Sequence, residues 1–91
     1  MSVIVKIPTQ LRTLTAGAAE VEASGATVGE VINDLERRHP GLKERLVGDD
    51  GGLRRFVNVY LDDEDVRFLG GIATDVPEGA RVAIIPAVAG G

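Results

Sequence analysis

The chain is short and mildly acidic: it has 91 residues, with 10 lysines and arginines against 14 aspartates and glutamates, and a formal net charge of −4. This length predicts one small domain. The absence of cysteine and the single histidine exclude disulfides, thiolate metal sites, a thiol nucleophile and a histidine metal cluster. The composition therefore argues against a self-sufficient enzyme and favours a partner with a basic surface.

The hydropathy pattern indicates a folded domain in the cytoplasm. The hydrophobic share is 44% and the charged share 26%, as in ordinary globular domains. No apolar run approaches the roughly 18–20 residues of a membrane span, and the first residues lead into a strand-like segment without a signal peptide. Aromatic residues make up only 3% of the chain. Stacking platforms for nucleic acids are therefore not expected, and neither a membrane nor a nucleic acid is expected as a partner.

The first two predicted strands form a hairpin. β-Branched residues dominate positions 3–7, and Pro8 ends that strand. Its core-facing side chains are expected to be Val3, Val5 and Ile7. Residues 19–23 alternate small or apolar residues with glutamate, which is typical of a half-exposed strand. The connecting residues 8–17 are expected to form a long, mobile loop.

One amphipathic helix is predicted to begin after Thr27, where the hydrophobic period changes to that of a helix. Its core face carries Val28, Val31, Ile32 and Leu35. Its other face is expected to face water and carries Glu30, Asp34, Glu36 and Arg37. The pair Thr27 and Glu30 fits a capping box, in which the two side chains satisfy amides at the helix start. The basic residues 37–39, followed by Pro40-Gly41, predict where the helix ends.

The second half of the chain is richer in strands and turns. Residues 42–46 fit a short helical turn, and residues 48–52 a loop. Residues 55–61 form the strongest predicted strand. One face of this strand carries Val57, Val59 and Leu61, and the other Phe56, Asn58 and Tyr60. The acidic run 62–65 turns the chain into residues 66–68, as a hairpin or an irregular strand.

The chain is predicted to finish with a turn and one further strand. Residues 76–79 fit a type I turn, and the last strand, 81–85, is expected to lie parallel to the first at the sheet centre. This order predicts an α+β domain of the β-grasp, or ubiquitin-like, type: a mixed sheet with one main helix packed across a face. We expect residues 1–86 to form the domain and residues 87–91 a flexible C-terminal tail.

Most candidate sites have a simple structural explanation. The acidic run 62–65 lacks the ligand spacing of a calcium loop and is expected to be a solvated turn. His39 is expected to be a capping or surface residue. The glycine pairs 51–52 and 70–71 lie outside any phosphate-binding motif and indicate loops. No pocket is indicated around the adjacent carboxylates of residues 49–50.

The C-terminal segment is the strongest functional candidate. It consists of Pro86, Ala87, Val88, Ala89, Gly90 and Gly91. Proline ends a strand ladder and the small residues after it contribute little core, so the segment is expected to project from the domain. Two glycines without Cβ atoms let a narrow tunnel approach the backbone, and glycine has no stereocentre to racemise when its carboxylate is activated. An inert, frayed terminus is the alternative.

Three segments resemble the ThiS/MoaD family of ubiquitin-like sulfur carriers, and the resemblance covers essentially the whole chain. They are V-K-I-P-T-Q-L-R at residues 5–12, F-V-N-V-Y-L-D-D-E-D-V-R-F at residues 56–68, and I-P-A-V-A-G-G at residues 85–91. The tail P-A-V-A-G-G at residues 86–91, together with D-E-D-V-R-F-L-G-G at residues 63–71, is similar to the branch of the family that serves cysteine biosynthesis.

The resemblance implies that Gly91 carries the chemistry and that partner enzymes catalyse it. An adenylating enzyme of the ubiquitin-activating-like type would use ATP to activate the Gly91 carboxylate, and a sulfur donor would convert it to a thiocarboxylate. A pyridoxal-phosphate cysteine synthase (CysM-like) would take up the sulfur, and a zinc-dependent, deubiquitinase-like peptidase would release cysteine. ATP, pyridoxal phosphate and zinc would then belong to the partners, with no cofactor on this chain, which would act as a co-substrate and not as an enzyme.

Other functions remain open from the sequence. These are a sulfur carrier for molybdopterin or thiamine synthesis, a ubiquitin-like modifier joined to lysines through Gly91, and a binding module with an inert tail. For docking, the solvent side of the sheet near the final strand is the best candidate. Phe68, Ile85 or Val88 would be its apolar anchors, although Phe68 is expected by default to lie in the core.

Overall fold

The computed structural model describes residues 2–54 and 57–86, which form one mixed sheet with two α-helices. The strands are β1 (Ser2–Lys6), β2 (Glu20–Ser24), β3 (Val57–Leu61), β4 (Glu64–Asp65) and β5 (Arg81–Pro86). The α-helices are α1 (Val28–Arg38) and α2 (Leu42–Leu46). Short 3-10 helices span Thr9–Thr15, Val66–Phe68 and Gly71–Ala73.

The sheet has five strands in the order β2-β1-β5-β3-β4. β1 and β5 lie parallel at its centre, while β2 pairs antiparallel with β1, β3 with β5, and β4 with β3. The parallel central pair confirms the prediction that the final strand returns beside the first. The chain therefore has the expected α+β architecture.

One face of the sheet packs against the helices and forms the core. The side chains predicted to face inward from the first strand and from the helix are all buried: Val3, Val5, Ile7, Val28, Val31, Ile32 and Leu35. On β3 the face that carries Val57, Val59 and Leu61 is buried as well, whereas Asn58 and Tyr60 on the other face are half-buried and Phe56 lies outside the described residues. Each fully buried aliphatic side chain contributes about 1.5–3 kcal/mol to folding. Leu11 and Leu14 pack against the edge of this core.

Helix α1 begins and ends where the sequence predicts. The Thr27 hydroxyl accepts a hydrogen bond from the Glu30 N–H at 3.2 Å. The Glu30 carboxylate accepts one from the Ala26 N–H at 3.0 Å, so it binds the amide just before the capping residue and not an amide of the helix itself. The helix ends at Arg38, and the His39 N–H donates to the Leu35 carbonyl at 2.7 Å.

The prediction that Asp34 faces water is wrong, because its side chain is buried between α1 and β2 with only 5% of the residue exposed. The carboxylate accepts a hydrogen bond from the Ser24 N–H at 2.8 Å and pairs with Arg37 and, at 2.8 Å, with Arg38. Burial raises the pKa of this carboxyl, but the Ser24 hydrogen bond and the two arginine charges outweigh burial and hold the pKa below its ordinary value of 3.8. Asp34 thus ties the helix to the end of β2.

Two connections also differ from expectation. The predicted loop after β1 contains the 3-10 helix Thr9–Thr15, which ends with Thr15 buried and its hydroxyl donating to the Ala18 carbonyl at 2.9 Å. The type I turn predicted at residues 76–79 lies one residue too early, because the observed turn spans residues 77–80. The observed turn is closed by the Ala80 N–H and the Pro77 carbonyl at 3.1 Å, with Gly79 third at a φ of 81°. A positive φ at the third position is typical of a type II turn.

Candidate functional site

Strand β5 leads the chain to the predicted tail. Its last residue, Pro86, lies opposite Val57 of β3. The tail residues predicted to carry the function lie outside the described residues: Ala87, Val88, Ala89, Gly90 and Gly91.

The last residues of β5 extend beyond β1. The register with β1 runs from Arg81 to Ala83, whereas the register with β3 continues to Pro86. Within the described residues, positions 84–86 thus pair with β3 alone. Because proline has no N–H, it cannot donate to a ladder, and it marks the end of the regular strand.

A shallow groove of about 810 Å³ runs along β5 on the sheet face that points away from the helices. Its floor includes the half-buried side chains Ile4, Tyr60 and Ala83 together with the exposed Ile85. Its charged lining consists of Lys6, Arg12, Arg81, Glu20, Asp62 and Asp63. This is the surface, near the final strand, that the sequence indicates for docking.

Some of the charged side chains that line the groove also make an ion pair or a hydrogen bond to a neighbouring part of the sheet. The Arg81 guanidinium lies 3.8 Å from the Glu20 carboxylate, and the Arg81 N–H donates to Asp62 Oδ1 at 3.0 Å. Asp62 and Asp63 both adopt positive φ angles, 48° and 75°, as the central residues of the turn between β3 and β4. The acidic run 62–65 therefore consists of an exposed turn at Asp62 and Asp63 followed by the short strand β4. Across residues 2–54 and 57–86, no group of carboxylate and histidine side chains is arranged to hold a metal ion.

Phe68 is exposed, so the expectation that it lies in the core is wrong. Its exposed fraction is 87%, and Ile85 is 47% exposed. The third anchor candidate, Val88, lies outside the described residues. A 3-10 turn replaces the expected alternation after β4: it buries Val66 and directs Phe68 outward. Two further exposed apolar residues, Leu69 and Ile72, were missed because no strand or helix period marks them.

The remaining candidates have structural roles. His39 caps α1 and its carbonyl accepts a hydrogen bond from the Leu42 N–H at 3.3 Å. Asp50 Oδ1 accepts one from the Gly52 N–H at 3.0 Å and shapes its own loop. Gly71 adopts a φ of 59° at the start of a 3-10 helix. In the described part of the chain, no helix is long and apolar enough to span a membrane.

Comparison with known proteins identifies the family. The ThiS family model matches residues 5–91. The chain belongs to the ThiS family. This ThiS family member is 55% identical, over the full length of both chains, to the Sulfur carrier protein CysO of Mycobacterium tuberculosis. It is therefore a homologue of a small carrier protein.

Solved structures of ThiS family relatives confirm the β-grasp fold. CysO in the Amycolatopsis orientalis BexX/CysO complex superposes with a TM-score of 0.93 at 57% identity, covering 98% of this chain and 99% of that one. That relative binds another protein. A further relative, Small archaeal modifier protein 3 of Haloferax volcanii, is 42% identical over 66 residues, which cover 72% of this chain and 71% of that protein.

Proposed function

We propose that this chain carries sulfur as a thiocarboxylate on Gly91 and donates it for cysteine biosynthesis. The observation that supports this most strongly is the 55% identity, over the full chain, to Sulfur carrier protein CysO. The position of β5 supports it too. Five residues follow Pro86, and in extended form they would reach about 17 Å beyond the sheet. That length lets the terminal carboxylate enter a partner's active site while the folded domain docks outside it.

The proposed activation proceeds in two steps. A Gly91 carboxylate oxygen attacks the α-phosphorus of ATP, which forms an acyl-adenylate and releases pyrophosphate. Hydrosulfide supplied by the sulfur donor then attacks the carbonyl carbon, AMP leaves with the electron pair of its bond and the hydrosulfide proton is lost, so that a carbon–sulfur bond replaces the carbon–oxygen bond to AMP. The adenylating enzyme binds ATP and supplies the catalytic groups, and this chain supplies the reactive carboxylate.

The thiocarboxylate is a nucleophile that stays attached to protein. In the proposed pathway a CysM-like cysteine synthase, whose pyridoxal phosphate would supply an electron sink, would join this sulfur to the β-carbon of an activated serine in place of that substrate's leaving group. The resulting thioester rearranges to an amide, and a zinc-dependent, deubiquitinase-like peptidase releases cysteine and restores the carrier. Docking of the folded domain makes delivery of the tail nearly unimolecular, which raises its effective concentration at the partner's site. All of these steps belong in the cytoplasm.

The groove along β5 is the surface proposed for docking. It runs along β5, the strand after which the tail follows in the sequence. It presents the exposed Ile85, and its apolar floor is bordered by charged side chains. A chain with a net charge of −4 is attracted over a distance by a basic partner surface. Docking through Ile85 would leave the tail directed at the partner.

Sulfur transfer in a reconstituted system tests the proposal. The carrier is loaded with labelled sulfur by its adenylating partner and then mixed with the cysteine synthase, its activated serine substrate and the peptidase. We expect the label to appear in free cysteine. The control variant lacks Gly91 and is expected to transfer none. Equal transfer by that variant, or label that never enters cysteine, would contradict the proposal.

Protein modification is a second candidate, because Small archaeal modifier protein 3 is among the relatives. In that case Gly91 would form an amide with lysines of other proteins. A tagged carrier expressed in its own cells would then produce a series of heavier conjugates that disappears when Gly91 is deleted. A sulfur carrier would instead remain mainly free.

A further inference from the structure

Arg67 connects the segment after β4 to the beginning of β3. Its guanidinium donates hydrogen bonds to Asn58 Oδ1 at 2.9 Å, to the Arg54 carbonyl at 2.5 Å and to the Val57 carbonyl at 2.6 Å. Its own backbone is fixed as well, because the Arg67 N–H donates to Asp65 Oδ1 at 2.9 Å. One side chain thus holds three acceptors of one stretch of chain.

The acceptors of Arg67 lie beside the point where β5 ends. In the sheet register Val57 is opposite Pro86, and Asn58 is opposite Ile85. β4 pairs with β3 only at Tyr60 and Leu61, at the other end of the strand. The guanidinium therefore supports the part of β3 that β4 does not cover.

This part of β3 determines where the tail begins. Positions 84–86 of β5 lie beyond the register with β1, so β3 is the strand that holds them in the described structure. A shift of Val57 or Asn58 would shift Pro86, and every residue after it would start from a different place. Binding of three acceptors by the planar guanidinium suits arginine, since a lysine ammonium acts as a single point of charge.

We infer that Arg67 is a positioning residue for the C-terminal tail: by holding the beginning of β3 it sets the position from which Pro86 directs the tail into a partner's active site. Arg67 and Asn58 both belong to the segment 56–68 that resembles the family, and their contact gives that segment a physical role. The catalytic consequence rests on the proposed function, whereas the structural consequence does not.

The structural consequence is tested in the free, full-length chain. Amide hydrogen exchange is compared between the wild type, Arg67→Met and the control Arg45→Met, which removes the same charge from an exposed position on α2. We expect exchange at Asn58 and Ile85 to accelerate about tenfold in Arg67→Met, through local opening, and to be unchanged in the control. Exchange at Leu61 and Val82, the far end of the same strand pair, should be unchanged in both.

The catalytic consequence is tested with the adenylating enzyme by ATP–pyrophosphate exchange. Because docking uses the folded domain and chemistry uses the tail, Arg67→Met should lower kcat about tenfold or more while KM for the carrier stays within twofold. The kcat of Arg67→Lys should lie between that of the wild type and that of Arg67→Met. Asn58→Ala should also lower kcat, and the double variant Asn58→Ala/Arg67→Met should lose less than the product of the single losses, because both act through one contact.

Three results would overturn the inference. The first is that the amide hydrogen-exchange rates at Asn58 and Ile85 stay within twofold of the wild-type rates in both Arg67→Met and Arg67→Lys. The second is accelerated exchange with unchanged kcat, which would make the contact purely structural. The third is a raised KM at unchanged kcat, which would make Arg67 a docking residue. If the wild-type chain is not adenylated at all, the proposed function fails. Amide hydrogen exchange in the free chain still decides whether Arg67 holds the end of β5.

Discussion

Replacing Asp34 with alanine should destabilise the domain, because it removes the carboxylate that joins α1 to β2. The Ser24 N–H then loses its acceptor at 2.8 Å, at a cost of about 1–3 kcal/mol. The ion pairs add little, about 0–1 kcal/mol each, since the side chains of Arg37 and Arg38 are 76% and 44% exposed. We expect a loss of about 2 kcal/mol, which for a domain of this size lowers the melting temperature by roughly 8–16 °C.

The control Asp34→Asn separates the hydrogen bond from the charge. Asparagine keeps an oxygen that can accept from the Ser24 N–H, so at neutral pH it should lose only about 1 kcal/mol. The pH dependence has a definite sign. The folded-state pKa of Asp34 lies below the ordinary value, so its contribution is complete above the unfolded-state pKa and is lost as the pH falls through the folded-state value. The advantage of the wild type over Asp34→Asn should therefore shrink in acid.

Urea denaturation followed by circular dichroism measures both effects. The free energy of unfolding is determined for the wild type, Asp34→Ala and Asp34→Asn at neutral pH and at steps below pH 4. An Asp34→Ala variant within about 0.5 kcal/mol of the wild type at neutral pH would refute the role given to the buried carboxylate. A difference between wild type and Asp34→Asn that grows in acid would refute the sign of the pKa shift.

Three further substitutions probe the fold and the docking surface. Gly25→Ala would bring a Cβ to 2.6 Å from the Val31 nitrogen and should lower the free energy of unfolding by about 2–3 kcal/mol in urea denaturation. Gly17→Ala meets no atom within 4 Å but has a φ of 86° and should cost about 1 kcal/mol, so equal losses in the two variants would contradict the close contact at Gly25. Thr27→Ala should lower the free energy of unfolding by about 1 kcal/mol through loss of the helix cap, and an unchanged value would argue against it. Ile85→Asp should leave the circular dichroism spectrum unchanged and weaken binding to the adenylating enzyme about tenfold in calorimetry; undiminished affinity would move the docking surface away from the groove.

Periodic parts of the fold were predictable, because alternation and helical spacing report which side of an element faces the core. The spacing of apolar residues around Val5 predicted which side of the first strand is buried, and the spacing around Leu35 predicted the buried face of α1. The errors occur where a tertiary contact decides. Asp34 is buried because the Ser24 N–H needs an acceptor, and Phe68 is exposed because a 3-10 turn breaks the alternation after β4.

The candidate site was only partly predictable from the sequence. The family resemblance and the terminal glycines point to Gly91, and the strand pattern places Ile85 at the end of β5 on the solvent face. The role inferred for Arg67 had no sequence signal. In the sequence, Arg67 is an arginine after an acidic turn, and nothing distinguishes it from a solvent-exposed charge. Only the structure shows that its guanidinium donates hydrogen bonds to β3.

In the function proposed above, Gly91 carries the sulfur. This assignment is tested most directly by mass spectrometry of the C-terminal peptide after the full-length chain has been incubated with its adenylating enzyme, ATP and a sulfur donor. We expect one oxygen of Gly91 to be replaced by one sulfur, and only when ATP is present. A C-terminal peptide that keeps both carboxylate oxygens, or sulfur found on any other residue, would contradict it.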